Sequence, residues 1–326
     1  MGFIERVMHP DWYHGIGGKR PFFEGWYYKL IDAAGEQKWA VIPGVFLSDD
    51  PHAFIQVLDG NSQTAFYHRY PLEAFWAADD RFEVRIEENR FTANEMSLAI
   101  EREEQQIYGT LQFQNLAPWP VTVRSPGIMG WYAWVPTMEC YHGVVSLDHA
   151  IGGKLTIEDQ AHDFGGGRGY IEKDWGQSFP SAWVWIQTNH FETLGTSLTA
   201  STAIIPWRRS SFRGFIVGLW HDGVLYRWAT YTGAKTAHLQ IDDKQVHWIL
   251  RGKTARGMHQ LTITATRAEA GILAGPSTVD MGKRVAESLK GLVAVRLENE
   301  TGTIFAGKGR FAGLEVHNPT ALLAEK

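Results

Sequence analysis

Two carboxylates stand two residues apart in Tyr170-Ile171-Glu172-Lys173-Asp174-Trp175-Gly176. On a β-strand, Tyr170, Glu172 and Asp174 project to one face while Ile171, Lys173 and Trp175 take the other. Two strand positions span about 7 Å, so like charges in an enclosed site oppose each other's ionisation. One carboxyl then keeps its proton near neutral pH, which a general acid requires. The same spacing also fits a solvent-facing charged strand, or an ion pair with Lys173 or Arg168. In Phe23-Glu24-Gly25-Trp26-Tyr27-Tyr28-Lys29, Glu24, Trp26 and Tyr28 share one face by the same rule. A carboxylate among rings must be hydrogen-bonded to be buried, so Glu24 has a partner such as Arg20 or Lys29, or is held for function.

The other chemical candidates have less behind them. Cys140 and His142 fall on one strand face and invite a nucleophile and base reading, but no Asn or Asp is identifiable as an orienting third member. Cysteine and methionine in such a segment are the usual fillers of a core. His142 and His149 fall on opposite faces, and neither His9 with His14 nor His162 with Asp163 has a metal-ligand framework around it, so no metal site is read. There is no Gly-x-Ser-x-Gly elbow. The run Gly165-Gly166-Gly167-Arg168-Gly169 leads into a strand-like segment rather than a helix, which suits a bend between domains better than a phosphate cradle.

The elements that must position these groups are strands. Apolar and charged side chains alternate in Phe82-Glu83-Val84-Arg85-Ile86-Glu87, and period two recurs at 110–114, 197–205, 245–251, 260–267, 292–298 and 313–316. Asp222-Gly223 and Asp59-Gly60-Asn61 supply the turn chemistry of hairpins. Only Val279 to Lys290 reads as a short amphipathic helix, and Gly282 weakens it. Too little helix is left for the crossovers of a parallel sheet, so the fold class is all-β and antiparallel. The segments at 23–29 and 170–176 echo each other about half a chain apart, which suggests two β domains in tandem, 1–155 and 156–326.

With 31 Lys+Arg against 36 Asp+Glu, the net charge of −5 argues against a nucleic-acid binder. No stretch reaches the roughly 18 to 20 apolar residues of a membrane-spanning helix, and the most apolar window, Gly127 to Pro136, is short. Glu5 and Arg6 interrupt any secretory signal, and the single Cys140 demands no oxidising compartment, so the expected location is cytoplasmic. Fourteen Trp, 17 Phe and 11 Tyr suit β packing or a cavity lined with rings.

At Pro21–Lys29, Glu139–Val144, Gly169–Pro180 and Ala312–Val316 the sequence resembles the tocopherol cyclase family. The matching segments reach across almost the whole chain, and Gly169–Pro180 is the most specific of them. The resemblance implies an enzyme that closes the chromanol ring of vitamin E compounds from a phytylated or otherwise prenylated hydroquinone. It also implies a pair of lipocalin-like β-barrel or sandwich domains, akin to those of carotenoid hydratase-like proteins.

Such a cyclisation protonates a trisubstituted alkene, and the phenol oxygen captures the tertiary cation, so the chemistry calls for no cofactor or metal. Asp174 is the first choice as proton donor, with Glu172 as the other half of the pair and His142 to take the phenol proton. Trp26, Trp175 and Tyr170 would offer ring faces to the cation, with Glu24, Tyr28 and Tyr141 completing the substrate-binding set. The expected partner is a hydrophobic small molecule, with transient contact at a membrane surface allowed. A non-enzymatic isoprenoid carrier and a hydratase, in which water captures the cation, are the alternatives. A carbohydrate-binding module would explain the aromatics but not the paired carboxylates.

Overall fold

The structure is a computed structural model that describes residues 2–17 and 20–325. A short helix, α1 (Phe3–Met8), precedes the first group of strands. These are β1 (Phe22–Ile31), β2 (Lys38–Leu47), β3 (His52–Asp59), β4 (Thr64–Tyr70), β5 (Phe75–Ala77), β6 (Glu83–Ile86), β7 (Asn89–Thr92), β8 (Glu95–Arg102) and β9 (Gln105–Gln114). A two-stranded hairpin follows, β10 (Val121–Thr122) with β11 (Ser125–Pro126), and then β12 (Cys140–Ile157), β13 (Gln160–Asp163) and β14 (Gly167–Gly176). Apart from that hairpin, they form one antiparallel sheet in the order β4-β3-β2-β1-β14-β12-β9-β8-β7-β6-β5, with β13 beside β12. The remaining strands form a second antiparallel sheet, also an open path, in which Trp183–Thr188 lies between Ser197–Trp207 and Gly302–His317. The all-β expectation holds, and no described helix is long and apolar enough to cross a membrane.

The chain divides into two compact units: residues 1–179 with 272–285, and residues 180–271 with 286–326. The division falls after Phe179 rather than near residue 155, which lies inside β12. Strand β14, expected to open the second domain, pairs with β1 over Phe23↔Gly176 to Ile31↔Arg168. The two echoing segments are therefore neighbouring strands of one sheet. Both are central and buried on both faces, a position that imposes one composition on each.

Two further expectations change. The glycine run does not bend the chain between domains. Gly166, at φ +76°, turns it from β13 into β14 within the first sheet. The segment expected to be helical belongs largely to a strand, Lys283–Asn299, whose Val285, Glu287, Leu289, Val293, Val295 and Leu297 are all buried at odd positions, a period of two. Asp222 and Gly223 turn with φ of +48° and +71° between Ser210–His221 and Val224–Ala229, as the hairpin reading requires.

In the first unit, one face of the sheet carries a large core, with Trp26, Tyr28 and Leu30 of β1 packed among Val41, Ile55, Phe91, Leu111 and Ile171. On the opposite face Phe23, Phe46 and Phe54 cluster with Cys140, Phe179 and Met281. Gly25 and Gly44 lie side by side in register on that second face. A Cβ at Gly44 would stand 2.4 Å from the Phe54 ring and 2.6 Å from the Glu24 carbonyl oxygen, whereas at Gly25 the ring would be an ordinary 3.7 Å away. Gly44→Ala is expected to destabilise the protein by about 1–3 kcal/mol through overpacking. Gly25→Ala is expected to be neutral or slightly stabilising. Urea unfolding of the two variants checks this, and equal midpoints would contradict it.

Candidate active site

The register of β12, β14 and β1 sorts the chemistry onto two faces. His142 lies opposite Asp174 and Val144 opposite Glu172, while Asp174 and Glu172 face Gly25 and Tyr27 of β1. Paired residues share a face, so Tyr170, Glu172, Asp174 and His142 project together, as the alternation of β14 predicts for its three members. His142 Nδ1 is 2.9 Å from Asp174 Oδ1, and Nε2 is 3.4 Å from Glu172 Oε2. The Tyr170 hydroxyl donates a short hydrogen bond to Glu172 Oε2. The Asp174 side chain is the most accessible of the trio, 30% exposed against 14% for His142 and 6% for Glu172.

The imidazole thus stands between the two carboxylates. Burial works against its charge, but the fields of Glu172 and Asp174 and the hydrogen bond to Asp174 prevail and raise its pKa to about 9. At neutral pH His142 is an imidazolium, with Nδ1–H donating to Asp174. In that state it can take a phenol proton only after it has given up its own. It carries the proton that the two carboxylates share. The donor atoms of His142, Glu172 and Asp174 lie within 4.8 Å of one another, a set able to ligate a metal ion. The two ring nitrogens face different carboxylates, which suits an imidazolium between two acids as well as a metal ligand.

The other face carries a second constellation. Lys173 Nζ is 2.5 Å from Glu24 Oε1, and both side chains are fully buried. Lys173 also donates to the Trp12 carbonyl and approaches His14 Nδ1 at 2.9 Å. The backbone N–H of His14 donates to Glu24 Oε2 at 2.8 Å, and His14 Nε2 lies 3.1 Å from the Arg6 carbonyl. Burial raises the Glu24 carboxyl, but Lys173 and His14 outweigh it and hold the group below its usual range. Burial pulls Lys173 down, with Glu24 acting in the opposite direction. Burial and Lys173 together lower His14, which fits a neutral ring accepting at Nδ1 and donating at Nε2.

Glu24 therefore pairs with Lys173, not with Arg20 or Lys29. Lys173 in turn does not pair with its chain neighbours Glu172 and Asp174, because it projects to the opposite face. Arg168 pairs with Asp148.

The expected substrate-binding set splits along this division. Tyr170 stands with the trio. Glu24, Trp26, Tyr28, Tyr141 and Trp175 lie on the Lys173 face. Trp26 and Trp175 do present rings to a cation, but that cation is Lys173, 5.0 and 4.6 Å from their centroids. Trp175 stacks between His14 and Tyr141, and the hydroxyls of Tyr28 and Tyr141 donate to the carbonyls of Thr92 and Val135. Cys140 is half-buried, and desolvation pushes its thiol well up, as for a core residue rather than a nucleophile.

Apolar groups adjoin Asp174 that no chemical motif announces: Gly25 and Gly44 in line with it across the sheet, and the Phe54 ring that overhangs them. Two glycines inside strands otherwise made of bulky residues were the available signal.

Residues 90–318 match the family model described as Tocopherol cyclase-like. The chain belongs to that family. The matched range holds His142, Tyr170, Glu172 and Asp174 but not Glu24. Among curated relatives, this tocopherol cyclase-like chain is 24% identical over 303 residues to a probable chloroplastic tocopherol cyclase of Oryza sativa subsp. japonica, covering 86% of this chain and 59% of the rice protein. It is 26% identical over 157 residues to the chloroplastic tocopherol cyclase of Zea mays, covering 47% and 32%. It thus spans less than two thirds of these plant proteins. Among solved structures, CghA with Sch210972 superposes with a TM-score of 0.55 at 12% identity, covering 91% of this chain and 88% of that one. A second CghA structure gives 0.56 at 11% identity. These two likenesses speak to the fold.

Proposed function

We propose that this tocopherol cyclase-like protein closes a chromanol ring by protonating the alkene of a prenylated hydroquinone, with His142, Asp174 and Glu172 as the proton-donating site. One observation carries the reading: a partly accessible carboxylate, Asp174, hydrogen-bonded to an imidazolium that a second carboxylate helps to keep protonated. Moving the proton from His142 Nδ1 to Asp174 Oδ1 leaves the net charge of the site unchanged and creates a carboxylic acid. That acid forms a new C–H bond at the less substituted alkene carbon, and the tertiary cation arises beside a site now one proton poorer. The negative charge of Glu172 and Asp174 stabilises this cation.

A lone pair on the phenol oxygen then forms the C–O bond, the O–H bond breaks, and its one proton passes through Asp174 back to the now neutral His142. The expected role of His142 as proton acceptor thus belongs to this last step. Atoms balance as an isomerisation. Phe23 and Phe54, packed beside the glycines next to Asp174, make that side of the site apolar and help to exclude the water that would divert the cation.

Incubation with a phytylated methylhydroquinone under reducing, anaerobic conditions, followed by mass spectrometry, tests the reading. The expected product is an isomer of unchanged mass with one phenol fewer. A product heavier by one water would make the protein a hydratase, and substrate returned unchanged from a stoichiometric complex would make it a carrier.

Turnover is also expected to fall as pH rises through about 9, where His142 loses the proton the site donates. A rate constant through pH 10 would contradict this. The same shift acts on stability. An unfolded histidine titrates near about 6.5, so the stabilisation from charged His142 is complete below that pH and is lost as pH rises through the folded value.

A further inference from the structure

The segment between β9 and β12 is unlike the rest of the chain. From Asn115 to Met138 it carries one charged residue, Arg124, together with Trp119, Trp131, Tyr132 and Trp134. The turn of the β10–β11 hairpin is Val123-Arg124. Val123 is 69% exposed, and Val121 and Trp131 are also exposed. Trp134 donates its indole N–H to the Val123 carbonyl at 2.9 Å, and its ring lies 6.2 Å from that of Phe3 in α1. Phe3 and Ile4 are in turn exposed at 52% and 67%. One patch therefore runs from the helix over Trp134 to the hairpin tip. Buried Val7 anchors the C-terminal end of α1, and Arg6 turns inward to the carbonyls of His14 and Ile16.

We propose that this patch docks on the surface of a lipid bilayer. Its chemistry is that of the bilayer interface. Aliphatic side chains at a hairpin tip reach the acyl boundary, the amphipathic Trp131 ring sits at headgroup level, and Arg124 meets lipid phosphate. Arg124 has no ion-pair partner among the described residues, and the hairpin offers no acid that a second copy could bring to it. At the hairpin tip charge thus favours an anionic surface, while the exposed acid Glu5 lies at the far end of the patch in α1. The patch also adjoins the strand that carries His142, on the face opposite the trio. A Cβ at Gly127 would be 3.3 Å from Pro10, whose carbonyl oxygen would be 3.4 Å from a Cβ at Gly143, the residue beside His142 in β12. The choice of a bilayer over another partner rests on the reading above, since a prenylated hydroquinone resides in one.

The test is co-sedimentation of the full chain with phosphatidylcholine vesicles, with and without a quarter of phosphatidylglycerol, alongside a Val123→Ser/Trp131→Ser variant and Arg124→Ser. Turnover of detergent-dispersed substrate is measured in each preparation. The wild-type chain is expected to bind both vesicles, more tightly the anionic ones. The double variant is expected to bind at least tenfold more weakly with turnover in detergent unchanged, and Arg124→Ser to lose the anionic preference alone. A wild-type chain that stays in the supernatant, or a double variant that binds as well as wild type, overturns the proposal. So does a wild-type dimer that the double variant abolishes, which would make the patch a contact between copies. Absence of turnover in every preparation would count against the cyclase reading and leave the vesicle result standing.

Discussion

Asp174→Asn is expected to lower cyclisation by about 10²- to 10⁴-fold while leaving a folded protein. The amide keeps the shape of the carboxylate and can still accept from His142 Nδ1–H, but it cannot carry the proton to an alkene. The position is partly exposed, so the change leaves no buried charge uncompensated. His142→Gln is expected to act comparably, because it removes the source of that proton. Glu172→Gln is expected to shift the pH profile as well as the rate: without one of the two carboxylates that raise His142, the alkaline limb moves below about 9. Product formation against time, with near-UV circular dichroism as the control for folding, measures all three. An Asp174→Asn protein retaining more than a tenth of wild-type turnover would remove Asp174 from the donor role.

The second large effect falls on the opposite face of the same strand. Lys173→Met is expected to destabilise the protein by about 3–5 kcal/mol, the usual consequence of leaving one member of a buried ion pair without its partner. Glu24 would keep hydrogen bonds from the His14 backbone but lose the ammonium at 2.5 Å, in a place with no solvent. Glu24→Gln alone is expected to have a loss of the same sign, since Lys173 would then be the uncompensated charge. Joining Lys173→Met to Glu24→Leu is expected to recover much of the difference, because two apolar groups need no partner. Urea unfolding of the single and double variants gives the coupling directly. Single changes that each cost under about 1 kcal/mol would show that the pair is not held as ions. Since Lys173 lies between Glu172 and Asp174 in sequence, a structural loss here also separates the two faces experimentally: stability on one, turnover on the other.

Much of this was legible in the residues themselves. Alternation along 170–175 places Glu172 and Asp174 together and Lys173 apart from them, and the structure follows that pattern without a bulge in β14 opposite β1. What the sequence does not carry is register between distant strands. His142 enters the trio only because β12 pairs with β14 so that residue 142 lies opposite 174. Glu24 finds Lys173 only because β1 is the strand on the other side of β14.

Two central strands with both faces buried read alike, which turns neighbours in one sheet into an apparent repeat. Trp26 and Trp175 look like platforms for a substrate cation until the ammonium of Lys173 is found between them. Residues 279–290 mislead in a different way. A charged residue, Glu287, stands at a buried odd position and Ser288 is buried beside it, which blurs the period of two that runs on into 292–298.

The central claim is that a proton from the His142–Asp174 pair starts the reaction, and cyclisation in D₂O tests it most directly. The hydroxyl, imidazolium and carboxyl protons all exchange with solvent, so the account predicts a chromanol with one deuterium fixed on the ring carbon next to the new C–O bond carbon, retained after return to H₂O. Cyclised product without that carbon-bound deuterium would mean that the alkene is not protonated by an exchangeable acid, and would contradict the account.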